Sequence, residues 1–211
     1  DLPDEETAVI IYTSGTTGKP KGAMLTHKNL TSNVSQCLNV FKVTPKDNIL
    51  CFLPMFHSFA FTVCVLIPLT VGCKMTIFAS VKELQDKKKF FKTMFFGKIT
   101  FFVGIPAIFN LLSERLSTLK GRILFFWTKV AISGADALSP DVWLKFEKKF
   151  KLPLCEGFGL TEASPVVSVN PQFEKRKIGT VGPPLPGVKI RIVDDDGNDL
   201  PINKAGEILV Y

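Results

Sequence analysis

The chain has 211 residues, 46% hydrophobic and 21% charged, with a formal net charge of +7. Those proportions exclude an intrinsically disordered chain, and a chain of this length buries roughly 70% of its unfolded surface without disulfide staples. Five cysteines at no disulfide or CxxC spacing, with two histidines, exclude a disulfide framework and a Cys- or His-rich metal site, and predict reduced thiols in a cytoplasmic compartment.

The N-terminal Asp1–Glu6 is acidic and polar, which predicts no signal peptide. Ala8–Tyr12 reads as a short strand, Ala23–Leu25 as a second, and Thr26 as the N-cap of a helix from His27 to about Phe41. Ile49–Cys73 carries no formal charge over 25 residues, long enough to span a bilayer. Pro54, His57, Ser58 and Pro68 interrupt it, however, and it divides into a buried strand (Ile49–Leu53), a loop, a short helix (Phe59–Val71) and the strand Lys74–Phe78. Lys82–Phe96 is expected to be a helix with Phe91, Met94 and Phe95 on one face. Then follow the strand Ile99–Val103, the helix Pro106–Leu116, the strand Lys129–Ile132, and a helix opened by Ser139-Pro140, with Val142, Phe146 and Phe150 on one face. Leu154–Cys155 and Val166–Val169 are further strands. This alternation predicts an α/β fold: a mainly parallel sheet with helices on both faces. After Asn170 the helix pattern stops. Val188–Val193 and Glu207–Val210 then alternate as the first antiparallel strands of a β-rich subdomain, which divides the chain into residues 1–170 and 171–211.

The strongest local signal is Tyr12–Gly22. Gly15, Gly18 and Gly22 let backbone N–H groups turn toward a ligand. Thr13, Ser14, Thr16 and Thr17 add hydroxyls, and Lys19 and Lys21 add positive charge. That inventory suits a polyphosphate. It is not a Walker A loop, because Gly15 and Gly18 are three apart and Pro20 follows Lys19 where Ser or Thr should bind magnesium.

Tyr12–Gly22 resembles the phosphate loop of the adenylate-forming superfamily, which includes acyl-CoA synthetases, luciferases and peptide-synthetase adenylation domains. Gly157–Glu162 resembles its second signature and Ser133–Leu138 its adenine loop. Gly179–Gly187 and Gly206–Val210 are similar to two later segments. Within the family, Glu156–Asn170 looks most like long-chain fatty acyl-CoA synthetases and the related acyl-carrier-protein synthetases.

The resemblance implies an enzyme that uses ATP and Mg²⁺ to convert a fatty acid carboxylate to an acyl-adenylate, then passes the acyl group to the thiol of CoA or acyl carrier protein. It implies that Thr13, Ser14, Gly15, Thr16, Thr17, Gly18, Lys19 and Lys21 hold phosphates. Thr161 and Glu162 would act with Lys21 at the reacting phosphate, Glu162 as metal ligand. Gly134, Ala135, Asp136, Gly157, Phe158 and Gly159 would line the adenine. Phe158 stands where the family usually has Tyr, which keeps stacking and loses a hydroxyl. His57 and Phe59 would wall the acyl pocket. Amino-acid-activating relatives carry an Asp beside the Phe there; Met55–Ser58 offers no carboxylate, so the substrate should lack an α-amino group.

The lysines of Lys82–Lys98 alternate with Phe90, Phe91, Phe95 and Phe96. The segment reads either as a helix with a solvated lysine face or as a patch for an anionic membrane or an acidic carrier protein. No recognisable nucleic-acid module is present. The ribose-binding Asp and the C-terminal catalytic domain are expected beyond Tyr211, so the 211 residues should be inactive alone, with self-association over open edges. An aryl or short-chain acid ligase, and a nonenzymatic nucleotide-binding scaffold, are the alternatives.

Overall fold

The computed structural model describes residues 3–13, 19–78, 81–171 and 176–211. The β-branched run at the start forms β1 (Thr7–Thr13), paired antiparallel with β2 (Lys21–Thr26). Thr13 lies opposite Lys21. The hairpin therefore clamps both ends of the predicted phosphate loop, whose Ser14, Gly15, Thr16, Thr17 and Gly18 lie outside the described residues. The Thr26 hydroxyl accepts from the Asn29 N–H at 3.2 Å, and the Asn29 side chain accepts from the Thr26 N–H at 3.0 Å. This reciprocal cap starts α1 (His27–Val40).

After β3 (Asn48–Cys51) comes α2 (Ser58–Ala60), which widens into a π-helix over Phe61–Leu66 before α3 (Ile67–Val71). One regular helix was the expectation. Pro68 has no N–H to donate to the carbonyl four residues back, and the Ile67 N–H reaches five residues back to Thr62 instead. β4 (Lys74–Ile77) follows. The expected helix over Lys82–Phe96 breaks at Asp86: a 3₁₀ turn covers Val81–Gln85, and the Asp86 carboxylate accepts from the Lys88 and Lys89 N–H groups to start α4 (Lys87–Phe96). Phe90 and Met94 face inward, whereas Phe91 is exposed and Phe95 half-buried. Aromatic residues at 90, 91, 95 and 96 leave the helix no unique apolar stripe, and Phe102 of the sheet packs on Phe90.

β5 (Phe101–Gly104) and α5 (Pro106–Arg115) fall where expected. A further helix, α6 (Thr118–Leu124), was not foreseen because Gly121 weakens its propensity. Packing requires that glycine: a Cβ there would stand 2.0 Å from the Phe150 ring. The remainder is β6 (Val130–Ser133), α7 (Pro140–Phe150), β7 (Leu154–Gly159), a 3₁₀ turn (Thr161–Ala163), β8 (Val166–Val169) and the antiparallel pair β9 (Ile190–Val193) and β10 (Glu207–Val210).

Six strands form one sheet in the order β4-β3-β5-β6-β7-β8, parallel from β4 to β7 and antiparallel at β8. Register sets Ile49, Phe101 and Val130 abreast, so Ile132, Gly134, Cys155 and Gly157 follow on that same face. The 58–71 helical segment and α1 cover it. Phe102 and its neighbours on the opposite face pack against Phe90, Phe109 and Phe125. Uncharged Ile49–Cys73 is thus spent on a buried strand and its covering helices, and no helix among the described residues is long and apolar enough to cross a membrane.

The Asp47 side chain is fully buried just before β3. It accepts from Lys129 Nζ at 2.6 Å and from the Thr44 N–H and hydroxyl at 2.8 Å each. Burial raises its pKa, but the Lys129 and Thr44 hydrogen bonds outweigh burial and hold the carboxyl below its ordinary value. A depressed acid contributes stability above its unfolded pKa of about 3.9 and loses it as the pH falls further. Lys129 is half exposed, so the ion pair itself adds little. The two Thr44 bonds dominate, and Asp47→Ala should cost about 2–3 kcal/mol at neutral pH. The difference in urea midpoint from the parent should shrink below about pH 4; equal midpoints at pH 7 would refute this role.

Candidate active site

Ligands of open parallel sheets bind beyond the carboxyl ends of the strands. β6 ends there at Ser133 and leads into Gly134, Ala135 and Asp136. β7 carries Gly157, Phe158 and Gly159 and runs into Thr161 and Glu162, and β3 leads to His57 and Phe59. Two hydrogen bonds between Asn33 of α1 and the Val166 backbone, at 2.8 and 3.1 Å, hold α1 against β8 beside this edge.

A single cavity of about 680 Å³ opens among these elements. Thr13, Lys21, Thr161 and Glu162 line its mouth from the hairpin and the 3₁₀ turn. Gly134, Ala135, Gly157, Phe158 and Gly159 line it from the strand ends, and His57, Ser58 and Phe59 from the start of α2. Among the described residues, which exclude Ser14, Gly15, Thr16, Thr17 and Gly18, the predicted ones are therefore brought together, with two exceptions. Lys19 is exposed outside the lining, and Asp136 turns its carboxylate to the Ala137 N–H at 2.8 Å.

Local geometry explains several residue choices. A Cβ on Gly134 would come within 2.9 Å of the Phe59 ring, so the bare backbone lets that ring lie over the end of β6. Ala135 has a φ of 69°, a left-handed conformation that costs a non-glycine residue roughly 1–2 kcal/mol and is characteristic of binding sites. His57 Nδ1 accepts from the Phe59 N–H at 3.3 Å, so the histidine caps α2 while its exposed ring edges the mouth. Sequence reasoning did not single out Ser58. Its buried hydroxyl lies 3.1 Å from that of Thr161, a contact between residues 103 apart.

Glu156 was also missed as a support. Its buried carboxylate accepts from the Leu138 N–H at 2.8 Å and so ties the 133–138 loop to β7. Burial raises its pKa, and the Leu138 hydrogen bond offsets part of the rise. A raised acid contributes most stability below its unfolded pKa of about 4.3 and loses that contribution as the pH rises through the folded value. Glu156→Ala should cost about 1–3 kcal/mol by leaving a buried N–H unpaired, and Glu156→Gln much less because its amide oxygen can still accept. Thermal melts of the two variants check this; an equal loss in both would assign the effect to charge instead.

Behind the mouth the cavity continues between the sheet and its helical cover, lined by Cys37, Phe41, Val43, Ile49, Val63, Ile67 and Phe101. None of these was recognisable as a pocket residue, since each reads as ordinary core. No formal charge reaches this depth: burial pushes the Cys37 thiol up to about 12, so it stays neutral. Phe101 is paired with Val130, and Gly134 lies four residues further on, just past the end of β6. At the ~3.3 Å rise of a parallel strand the cavity runs about 13 Å from mouth to floor.

The hairpin and the Thr161–Glu162 turn border one cavity at the ends of a parallel sheet, and the whole chain, residues 1–211, belongs to the AMP-binding enzyme family. A long-chain-fatty-acid–CoA ligase of Yersinia pestis is 34% identical over 215 residues, covering 100% of this chain and 37% of its own length. The ATP-bound structure of MatB from Rhodopseudomonas palustris matches with a TM-score of 0.88 at 32% identity, covering 100% of this chain and 40% of that one. A long-chain-fatty-acid–CoA ligase from Archaeoglobus fulgidus matches with a TM-score of 0.80 at 28% identity, over 99% of this chain and 42% of the other. The chain thus spans well under half the length of its relatives.

Proposed function

We propose that the full-length protein activates a fatty acid with ATP and hands the acyl group to a thiol, that of CoA or of an acyl carrier protein. One observation carries this reading: a single cavity joins Lys21 and Glu162 to an apolar pocket without charged lining residues. In the first step a carboxylate oxygen bonds to the α-phosphorus of ATP and the bond to pyrophosphate breaks. Two anions must meet, so fixed positive charge and fixed geometry lower the barrier. Thr13 and Lys21 would hold phosphate oxygens together with residues 14–18, Thr161 would donate to the α-phosphate, and Gly157–Gly159 and Gly134–Ala135 would line the base.

The Glu162 side chain suits Mg²⁺. It is exposed at the mouth, and no cation pairs with it among the described residues. No cluster of three His, Cys, Asp or Glu occurs among those residues either. A hard cation would therefore take one protein carboxylate and complete its shell from triphosphate and water. Bound there, it would neutralise phosphate charge.

Specificity follows from what the lining lacks. Among the described lining residues, Glu162 supplies the one carboxylate. An α-ammonium in the pocket would be buried unpaired, which favours an acid without an amino group. Residues 1–170 would supply the nucleotide and acyl sites, with 171–211 beginning the β-rich unit. Acid-dependent pyrophosphate–ATP exchange on the full-length protein, across fatty, aryl, short-chain and amino acids, tests the reading. Exchange driven by fatty acids supports it; a response confined to aryl or amino acids would falsify the acyl assignment.

A further inference from the structure

Away from the cavity, on the far face of the sheet, α4, α6 and the segment before β6 carry a second feature with no place in the proposed reaction. Phe91 stacks on Phe95 with ring centroids 5.9 Å apart; Phe95 meets Phe96 at 5.4 Å and Phe126 at 6.3 Å, and Phe126 meets Trp127 at 4.9 Å. This continuous aromatic ridge is open to solvent: Phe96 is 72% exposed, Phe126 65%, and Phe91 and Trp127 38% each. Stacked aromatics normally go inside, and contiguous exposed apolar surface marks an interaction site.

The ridge is ringed by positive charge. From residue 87 to 129 the chain has seven lysines, two arginines and one acid, Glu114. Lys89 and Lys129 are paired with Glu83 and Asp47. Among the described residues, Lys87, Lys88, Lys92, Lys120 and Arg122 have no acidic partner, and Lys98 lies over the Trp127 ring at 5.2 Å. Lys88, Lys92 and Phe96 follow one another at four-residue spacing, so ammonium groups and rings share one stripe of α4.

We propose that this ridge docks the protein on an anionic lipid surface, the rings entering the interface and the lysines meeting the headgroups. Phe and Trp beside snorkelling lysines match the two components of interfacial binding, apolar burial and headgroup attraction. Orientation fits as well. Gly97–Thr100 and Phe126–Lys129 lead into the amino ends of β5 and β6, whereas the cavity mouth lies at the carboxyl ends. Docking by the ridge therefore leaves the mouth facing water.

The two tryptophans supply the test. Trp143 is fully buried, so the part of the emission change on docking that disappears in W127F of the full-length protein reports Trp127. Full-length protein is titrated with phosphatidylglycerol vesicles and with phosphatidylcholine vesicles. Expected are a blue shift and co-sedimentation with the anionic vesicles alone, reversed by high salt. K88E/K92E and F96S/F126S should each weaken partitioning about tenfold or more, while pyrophosphate exchange with a soluble short-chain acid stays at the parent rate. Absence of anionic-vesicle binding, or unchanged binding by both variants, overturns the proposal. So does a Trp127 that acrylamide cannot quench in the vesicle-free protein, which would show the ridge covered by the rest of the chain or a second copy, and so does capture by an acidic protein in preference to vesicles. The readout is independent of catalysis, so its failure leaves the ligase reading standing.

Discussion

Glu162→Gln in the full-length protein should lower fatty acid–dependent pyrophosphate exchange by about 10²–10³-fold, because a weakened hold on Mg²⁺ takes away an electrostatic stabiliser of phosphoryl charge. The substitution keeps the size and hydrogen-bonding shape of the side chain and removes its charge. Glu162 sits on the short turn that leaves β7 and lines the same mouth as Lys21 and Thr13. Folding should not suffer, because the side chain is exposed. The diagnostic signature is the metal dependence: a carboxylate that holds Mg²⁺ shifts the half-saturating Mg²⁺ concentration upward when neutralised, and excess metal should rescue part of the rate. A parent-like rate at parent-like Mg²⁺ would remove Glu162 from the site. A rate loss with unchanged metal response would leave it as a positioning group.

The second large effect concerns the length of the acid. The floor of the cavity lies near the paired residues Ile49 and Phe101, about 13 Å below Gly134 at the ~3.3 Å strand rise. With carbon–carbon bonds of ~1.5 Å in a zigzag, that depth takes an extended chain of about ten methylenes. α1 runs alongside it, from Asn33 near the mouth to its C-terminal end, after which Phe41 lines the floor. Cys37 is one turn short of Phe41, about 6 Å up at ~1.5 Å per residue. Cys37→Phe should therefore close the lower half of the cavity and displace about five methylenes. At ~0.8 kcal/mol each, an upper bound of about 4 kcal/mol, kcat/KM for a ten- to twelve-carbon acid should fall about 10²–10³-fold. A four- or five-carbon acid should be accepted about as before. The contrast between the acids separates a blocked cavity from a damaged fold: if both lose activity in parallel, the cavity is not the acyl site.

Much of the fold was legible along the chain because its causes are local. Thr26, the Ser139-Pro140 start and the short β-branched runs marked element after element within a few residues of where they occur. The misses had non-local causes. α6 was hidden because Gly121 looks like a helix breaker until the Phe150 ring is seen pressed against it. The inward face of α4 was misread because Phe90 and Phe91 are equivalent in sequence, and only Phe102 on the sheet chooses between them. The π-helix was missed, because Pro68 lay within a segment read as one regular helix, and its use as one wall of a cavity was not visible either.

The site divides in the same way. Its polar mouth could be read in the sequence, because phosphate chemistry demands glycines, hydroxyls and lysines in close succession, and a short segment displays them all. The apolar depth could not, because an uncharged pocket residue and an uncharged core residue have the same chemistry. Strand register decided which of them face the gap, setting Phe101 abreast of Ile49 and one turn of α1 opposite both. The sequence by itself thus determined most of the element order and the family signatures, and set the expectation of a polyphosphate and of an acid without an amino group. Only the tertiary structure decided how deep the apolar cavity runs, and that aromatic rings on the far face of the sheet are left facing solvent. Both depend on the packing of segments distant along the chain, where no local pattern records the distance between them.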